Sequence, residues 1–175
     1  MSSALSRDDI LRLLHALNDE LKGAGVKGHV NLAGGAVMCL AFNARASTRD
    51  VDASFEPSVA VLDAAARVSA RHDVRDTWLN DAVKGYMSDH GSFTPFLELS
   101  HLKVFLASPE YMLAMKCLAM RIGEGFHDEA DVRYLLRNLA IRRFDDARAI
   151  LARYYALEEY PETALRALRE LTSST

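Results

Sequence analysis

The chain has 175 residues, 50% of them apolar and 26% charged, enough to bury a core and ordinary for a globular protein in water. Its net charge of −3 excludes the broad basic field that draws nucleic acid to a whole surface. No long apolar run suggests a membrane span, so no membrane partner is expected. The cations are 16 Arg against 5 Lys, a bias that suits forked contacts to phosphate or carboxylate.

Residues 6–24 place Ile10, Leu13, Leu14, Leu17 and Leu21 on one helical face, with Ser6 as N-cap and Gly23 and Gly25 as the stop. HVNLA (29–33) reads as a strand, and the stretch from Gly35 to about Asn43 as a helix. Val51–Phe55 reads as a second strand closed by Pro57, and 59–72 as a helix. Segment 73–94 mixes a short helical stretch with a Gly/Ser loop. FLELS and KVFLA follow as two short strands in a hairpin around Ser100 and His101. Ser108-Pro109 opens a helix running to about Arg121, with Ser at the cap and Pro in the first turn. After the break at IGEGFH come helices near 127–139, 144–156 and 161–171. With no repeat or linker, the order predicts a single α+β domain over 1–175: a small mixed sheet flanked by helices, then a helical C-terminal part.

Two thiols, Cys39 and Cys117, fall in apolar helical stretches and read as buried and free. Together with the lack of a leader pattern, they predict a reducing, cytoplasmic setting. The six histidines show no zinc-ligand spacing. Ile150, Leu151, Tyr154, Tyr155 and Leu157 are dense enough for a partner surface, but a core-packing helix gives the same pattern.

The chemistry concentrates in two short motifs. Gly34-Gly35 ends an apolar strand and opens a helix, where free backbone N–H groups suit phosphate. Asp50-Val51-Asp52 lies at the start of the next strand; on an extended chain, residues i and i+2 share a face, so the two carboxylates are expected side by side. Adjacent carboxylates repel unless a cation lies between them, and Mg²⁺ (or Mn²⁺) is the usual solution. Thr48 is placed to donate to a phosphate oxygen or to cap the turn. Arg45 has the reach for a triphosphate, whereas Arg49 alternates to the opposite face.

The stretch LAGGAVMCLAFNARASTRDVD resembles the first motif of the DNA polymerase β-type nucleotidyltransferase superfamily: an apolar residue, G-[GS], a helix, then D-x-[DE]. FLASPEYMLAMKCLAMRIGEGFHDEADVRYLL resembles the helical Lys followed by helical aspartates of AbiEii-like minimal nucleotidyltransferases, and WLNDAVKGYM resembles a segment common among them. The likeness covers roughly residues 30–140. It implies an α/β core over 1–108 and a helical subdomain over 109–175. It further implies Asp50 and Asp52 as metal carboxylates, Gly34, Gly35 and Thr48 as nucleotide contacts, Lys116 on the phosphates, and Asp128 and Asp131 completing the second motif. The spacing of the last two, i and i+3, puts them on one helix face. The bland reading of Lys116 is a solvated side chain paired with Glu110 or Glu124. No clear third carboxylate is evident on a later strand; Glu98 is the only candidate in FLELS, with an ordinary exposed Glu as the equal alternative.

The resemblance implies transfer of NMP from a nucleoside triphosphate to an acceptor, RNA such as tRNA or a protein. A toxin-like role in a toxin–antitoxin or phage-defence system, with a cognate antitoxin, goes with it. The alternative expectation is a catalytically degenerate protein of the same fold that binds nucleotide or a regulatory partner.

Overall fold

A computed structural model describes residues 4–121 and 127–174. It is an α+β structure with two compact units, Met1–Gly85 with Phe93–Ala107 and Tyr86–Ser92 with Ser108–Thr175.

The first unit carries the elements β1 (Leu5–Ser6), α1 (Arg7–Gly23), β2 (Gly28–Ala33), α2 (Gly34–Leu40), β3 (Ser47–Thr48), β4 (Val51–Glu56), α3 (Ser58–His72), β5 (Leu79–Asn80), β6 (Phe93–Glu98) and β7 (Leu102–Ala107). Five strands form one mixed sheet in the order β5-β4-β2-β7-β6; β1 and β3 make a separate two-stranded pair. The sheet holds β2 antiparallel to β4 and parallel to β7, with the expected hairpin joining β6 to β7.

The helices explain themselves locally. Ser6 caps α1 through a reciprocal box in which its hydroxyl accepts from the Asp9 N–H and the Asp9 carboxylate accepts from the Ser6 N–H. The apolar stripe of α1, Ile10 through Leu21, is fully buried and packs with α3 over the sheet. Under them lie Val30, Leu32, Val51, Ala53, Phe55, Leu102, Val104 and Leu106, all buried. At the outer edge, Trp78 donates its indole N–H to the Ala65 carbonyl at 3.1 Å and accepts the Val51 N–H at 2.7 Å, which anchors the short β5 beside β4.

Two differences from the sequence reading have simple causes. The helix after the diglycine stops at Leu40 rather than near Asn43, because Asn43 takes a left-handed conformation (φ 50°) and the Ala44 N–H turns back to the Met38 carbonyl. Segment 73–94 contains the two-residue strand β5 and a 3-10 turn over Ala82–Tyr86.

The second unit comprises α4 (Pro109–Leu118), α5 (Asp128–Asn138), α6 (Phe144–Tyr154) and α7 (Glu162–Ser173). Tyr111, Met112, Leu113, Ala114, Met115 and Cys117 are all buried, so α4 is apolar nearly all round and the other three helices pack against it. The Ser88 N–H donates to the Tyr111 hydroxyl at 2.8 Å, and Tyr111 stacks on Tyr154 at 5.0 Å. Ile150, Leu151 and Tyr154 belong to this core rather than to an outer face. Both cysteines are buried and neither is in a disulfide, and burial pushes the Cys117 thiol up to about 12.

Among the described residues no helix is long and apolar enough to cross a membrane. Leu17→Ala, in the fully buried stripe, is expected to lower stability by about 2–5 kcal/mol. Val59→Ala, at a position 73% exposed, is expected to shift it by no more than ~0.5 kcal/mol. Urea titration of the two variants beside the parent measures both.

Candidate active site

Gly34 and Gly35 stand where β2 runs into α2, and side chains from the β3–β4 segment close over them. Gly34 has φ +65°, a left-handed conformation that disfavours any side chain. A Cβ there would lie 2.7 Å from Asp52 Oδ2. A Cβ on Gly35 would lie 2.6 Å from Thr48 Oγ1 and 2.8 Å from an Arg45 guanidinium nitrogen. The two glycines are therefore contact surfaces, and Asp52, Thr48 and Arg45 are brought together on them.

Each of these side chains is set by backbone pairing. Asp52 lies opposite Ala33 in the β2–β4 ladder, on the face away from buried Val51 and Ala53. Thr48 is buried, its strand pairing with Leu5, and its hydroxyl donates to the Asp50 carbonyl at 3.2 Å. Asp50 is in a bend just before β4, so the strand places Asp52 while the Thr48 turn places Asp50. Two residues apart, their Cα atoms are separated by at most ~7 Å. Arg49 is exposed, and its carbonyl accepts from Arg75 at 2.9 Å.

Asn80 adds to the sequence-based set, and Arg45, expected from the sequence to have the reach for a triphosphate, is seated against Gly35. The contact of Arg45 with Gly35 depends on the chain turning back after Leu40, which no local pattern displays. Asn80 pairs with Asp52 in the parallel β4–β5 register. Its strand is only two residues long and has no periodicity to read.

The residue considered as a third carboxylate is at the wrong end of the sheet. The ladder aligns Glu98 with Lys103, Lys103 with His29, and His29 with Glu56. Asp52 is four residues earlier on β4, ~13 Å along the strand, and on a row through Asn80 and Ala33. Glu98 instead pairs with Lys103 at 3.2 Å. Among the described residues no group of three His, Cys, Asp or Glu side chains forms a ready-made metal site. Two carboxylates nevertheless fit Mg²⁺, which keeps waters and takes substrate phosphate oxygens to fill its shell. Asp52 is held against the glycine turn, and Asp50 lies in the bend two residues before it.

Lys116, Asp128 and Asp131 meet one another in the helical unit. Lys116 Nζ donates to Asp131 at 2.8 Å and to Asp128 at 3.3 Å. The side chains are 12%, 7% and 4% exposed for Lys116, Asp128 and Asp131. Asp128 also accepts the Arg121 N–H at 3.0 Å and its guanidinium Nε at 3.1 Å. Both aspartates occupy the first turn of α5, where the helix dipole favours negative charge. Burial raises the Asp128 pKa, but Lys116 and the backbone and side chain of Arg121 outweigh it and hold the group below the ordinary carboxylate value. Lys116 is thus neither solvated nor paired with Glu110, which meets Arg153 at 2.9 Å; Glu124 lies outside the described residues.

Gly34→Ala is expected to lose about 1–2 kcal/mol through backbone strain alone, with displacement of Asp52 on top. Gly35→Ala must move Thr48 and Arg45, and thermal unfolding reads both effects. Lys116→Met, which takes the ammonium from two buried carboxylates, is expected to lower stability by about 3–5 kcal/mol. Because the folded Asp128 pKa is depressed, its contribution is present above the unfolded value near 4 and is lost as pH falls below it. Stability of the parent should therefore fall more steeply than that of Asp128→Asn on acidification below about pH 4, as measured by urea unfolding at successive pH values.

No family model, no curated protein and no solved structure matches this chain.

Proposed function

We propose that this chain is a metal-dependent nucleotidyltransferase that moves NMP from a nucleoside triphosphate to an acceptor hydroxyl. The observation that carries the reading is the joint approach of Asp52 to Gly34 and of Thr48 and Arg45 to Gly35. An anionic triphosphate needs a hydroxyl donor and a fixed cation; Arg45, seated on Gly35, supplies the cation, and Thr48 would supply the donor by turning its hydroxyl away from the Asp50 carbonyl. Asp50 and Asp52 would hold Mg²⁺ or Mn²⁺, which neutralises charge on the phosphates. Arg45 and Thr48 orient the triphosphate so that the acceptor oxygen meets the α-phosphorus in line. The new oxygen–phosphorus bond forms as the bond to pyrophosphate breaks, and the hydroxyl proton leaves to water.

The acceptor in this reading is RNA, tRNA among the candidates, in preference to a protein hydroxyl. A toxin-like role with a cognate antitoxin comes with the resemblance in the two motifs, and the buried thiols, outside any disulfide, suit a cytoplasmic location. Lys116, Asp128 and Asp131 enter by resemblance, since their mutual pairing already has a structural duty. Lys116→Arg separates the two roles. Retained stability with lost transfer assigns Lys116 a part in the reaction; stability and transfer retained together assign it to the fold.

A second reading is a nucleotide-binding protein without turnover. The position of Glu98, remote from the Asp52 row, favours it, because it withdraws the one carboxylate the FLELS strand offered as a base for the acceptor hydroxyl.

Calorimetry with each NTP and Mg²⁺, followed by transfer of α-labelled NTP to total tRNA, tests both. Metal-dependent binding and transfer, each lost in Asp52→Asn, is the expected result. Binding without transfer selects the second reading. No binding by the parent overturns both.

A further inference from the structure

Buried neighbours fix Asn80 beside Asp52. Trp78 and Leu79 are both buried, and the Trp78 carbonyl accepts the Val51 N–H at 2.7 Å, which locks β5 to β4. The parallel register then pairs Val51 with Leu79 and Asp52 with Asn80. Val51 and Leu79 are the hidden pair, so the alternation of both strands leaves Asp52 and Asn80 half-buried together on the other face. Across the sheet the row runs Ala33, Asp52, Asn80, with roughly 5 Å between strands. Asn80 is thus on the side of Asp52 away from the diglycine turn.

The Asn80 side chain is also held in one orientation. Its Oδ1 accepts the Ala82 N–H at 3.2 Å. A backbone N–H requires an oxygen, so this bond decides which end of the amide is nitrogen. Among the described residues the Nδ2 group has no protein partner.

We propose that Asn80 is a nucleotide-binding residue whose amide N–H donates to an oxygen of the α-phosphoryl group. The inference deepens the transferase reading and rests on it for the substrate. With Arg45 and Thr48 gathered on Gly35, the two terminal phosphates belong at the turn. The row through Asp52 then carries the α-phosphoryl group toward Asn80 and leaves the departing pyrophosphate behind on the glycine side. An anionic oxygen strengthens any hydrogen bond it accepts. A neutral donor serves here because it adds no repulsion to Asp50 and Asp52, as a third carboxylate would.

The test is calorimetry of the full chain with NTP and with inorganic pyrophosphate, each with Mg²⁺, beside thermal unfolding. Asn80→Ser keeps a side-chain oxygen for the Ala82 N–H and withdraws the amide. It is expected to weaken NTP binding roughly ten- to one-hundred-fold, the range for a hydrogen bond to a charged group, with the unfolding temperature and pyrophosphate affinity unmoved. Asn80→Asp preserves the shape and the bond to Ala82 but turns the donor into an anion, so its NTP affinity should fall at least as far. Parent-like NTP affinity in either variant overturns the inference and leaves the transferase reading standing. An equal loss for pyrophosphate and NTP in Asn80→Ser, or a parent that binds NTP but not pyrophosphate, overturns it too. No NTP binding by the parent overturns both.

Discussion

Burial of Val51, Ala53 and Phe55 under α1 and α3 is the constraint from which the rest of the α/β unit follows. Strand side chains alternate with a period of two, so hiding these three presents Asp52 and Ser54 on the other face. A slip of one residue would drive the Asp52 carboxylate into the helices and expose Phe55, a change far larger than any local contact could offset. The ladder with β2 transmits the same choice: Leu32 lies opposite Ala53, and Ala33 opposite Asp52. Packing on one side of the sheet therefore fixes the chemistry of the other.

The diglycine turn converts that register into a close approach. With Asp52 held opposite Ala33, the residue after Ala33 meets the carboxylate, and 2.7 Å leaves no room for a Cβ. The left-handed φ of Gly34 lets β2 pass into α2 without a loop. The β1–β3 pair then brings Thr48 over Gly35 from the other side, through the backbone of Leu5. An element of two residues thereby ties the first helix to the candidate phosphate contacts. On the proposed reading, NTP affinity draws on the N-terminal segment as well as on the motif.

Legibility in the sequence followed the range of the interaction. The stripe of α1, the strands around Val30 and Phe55, the hairpin at Ser100 and the four later helices declare themselves through periodicity and caps. So did Ser6 and Ser108 as N-caps, because a cap is a contact over three residues. The short strands β1, β3 and β5 carry no period and owe their form to distant partners. Gly34, Gly35, Thr48 and Asp52 could be named from the motif, whereas the seat of Arg45 against Gly35 could not. The remoteness of Glu98 from Asp52 is a property of strand order, which a single sequence does not display.

Lys116 illustrates how a motif residue and a structural residue become hard to separate. A lysine in an apolar helix needs an anion, and two aspartates at i and i+3 in the next helix supply it where the dipole steadies their charge. The network sets Lys116 and Arg121 against Asp128 and Asp131. Two of the three ammonium donors of Lys116 go to Asp128 and Asp131, so a phosphate contact would have to take the third or displace a buried carboxylate. Removing the lysine damages the helical unit on either account. Only a change that keeps the charge and alters its shape separates holding the helices together from holding a substrate.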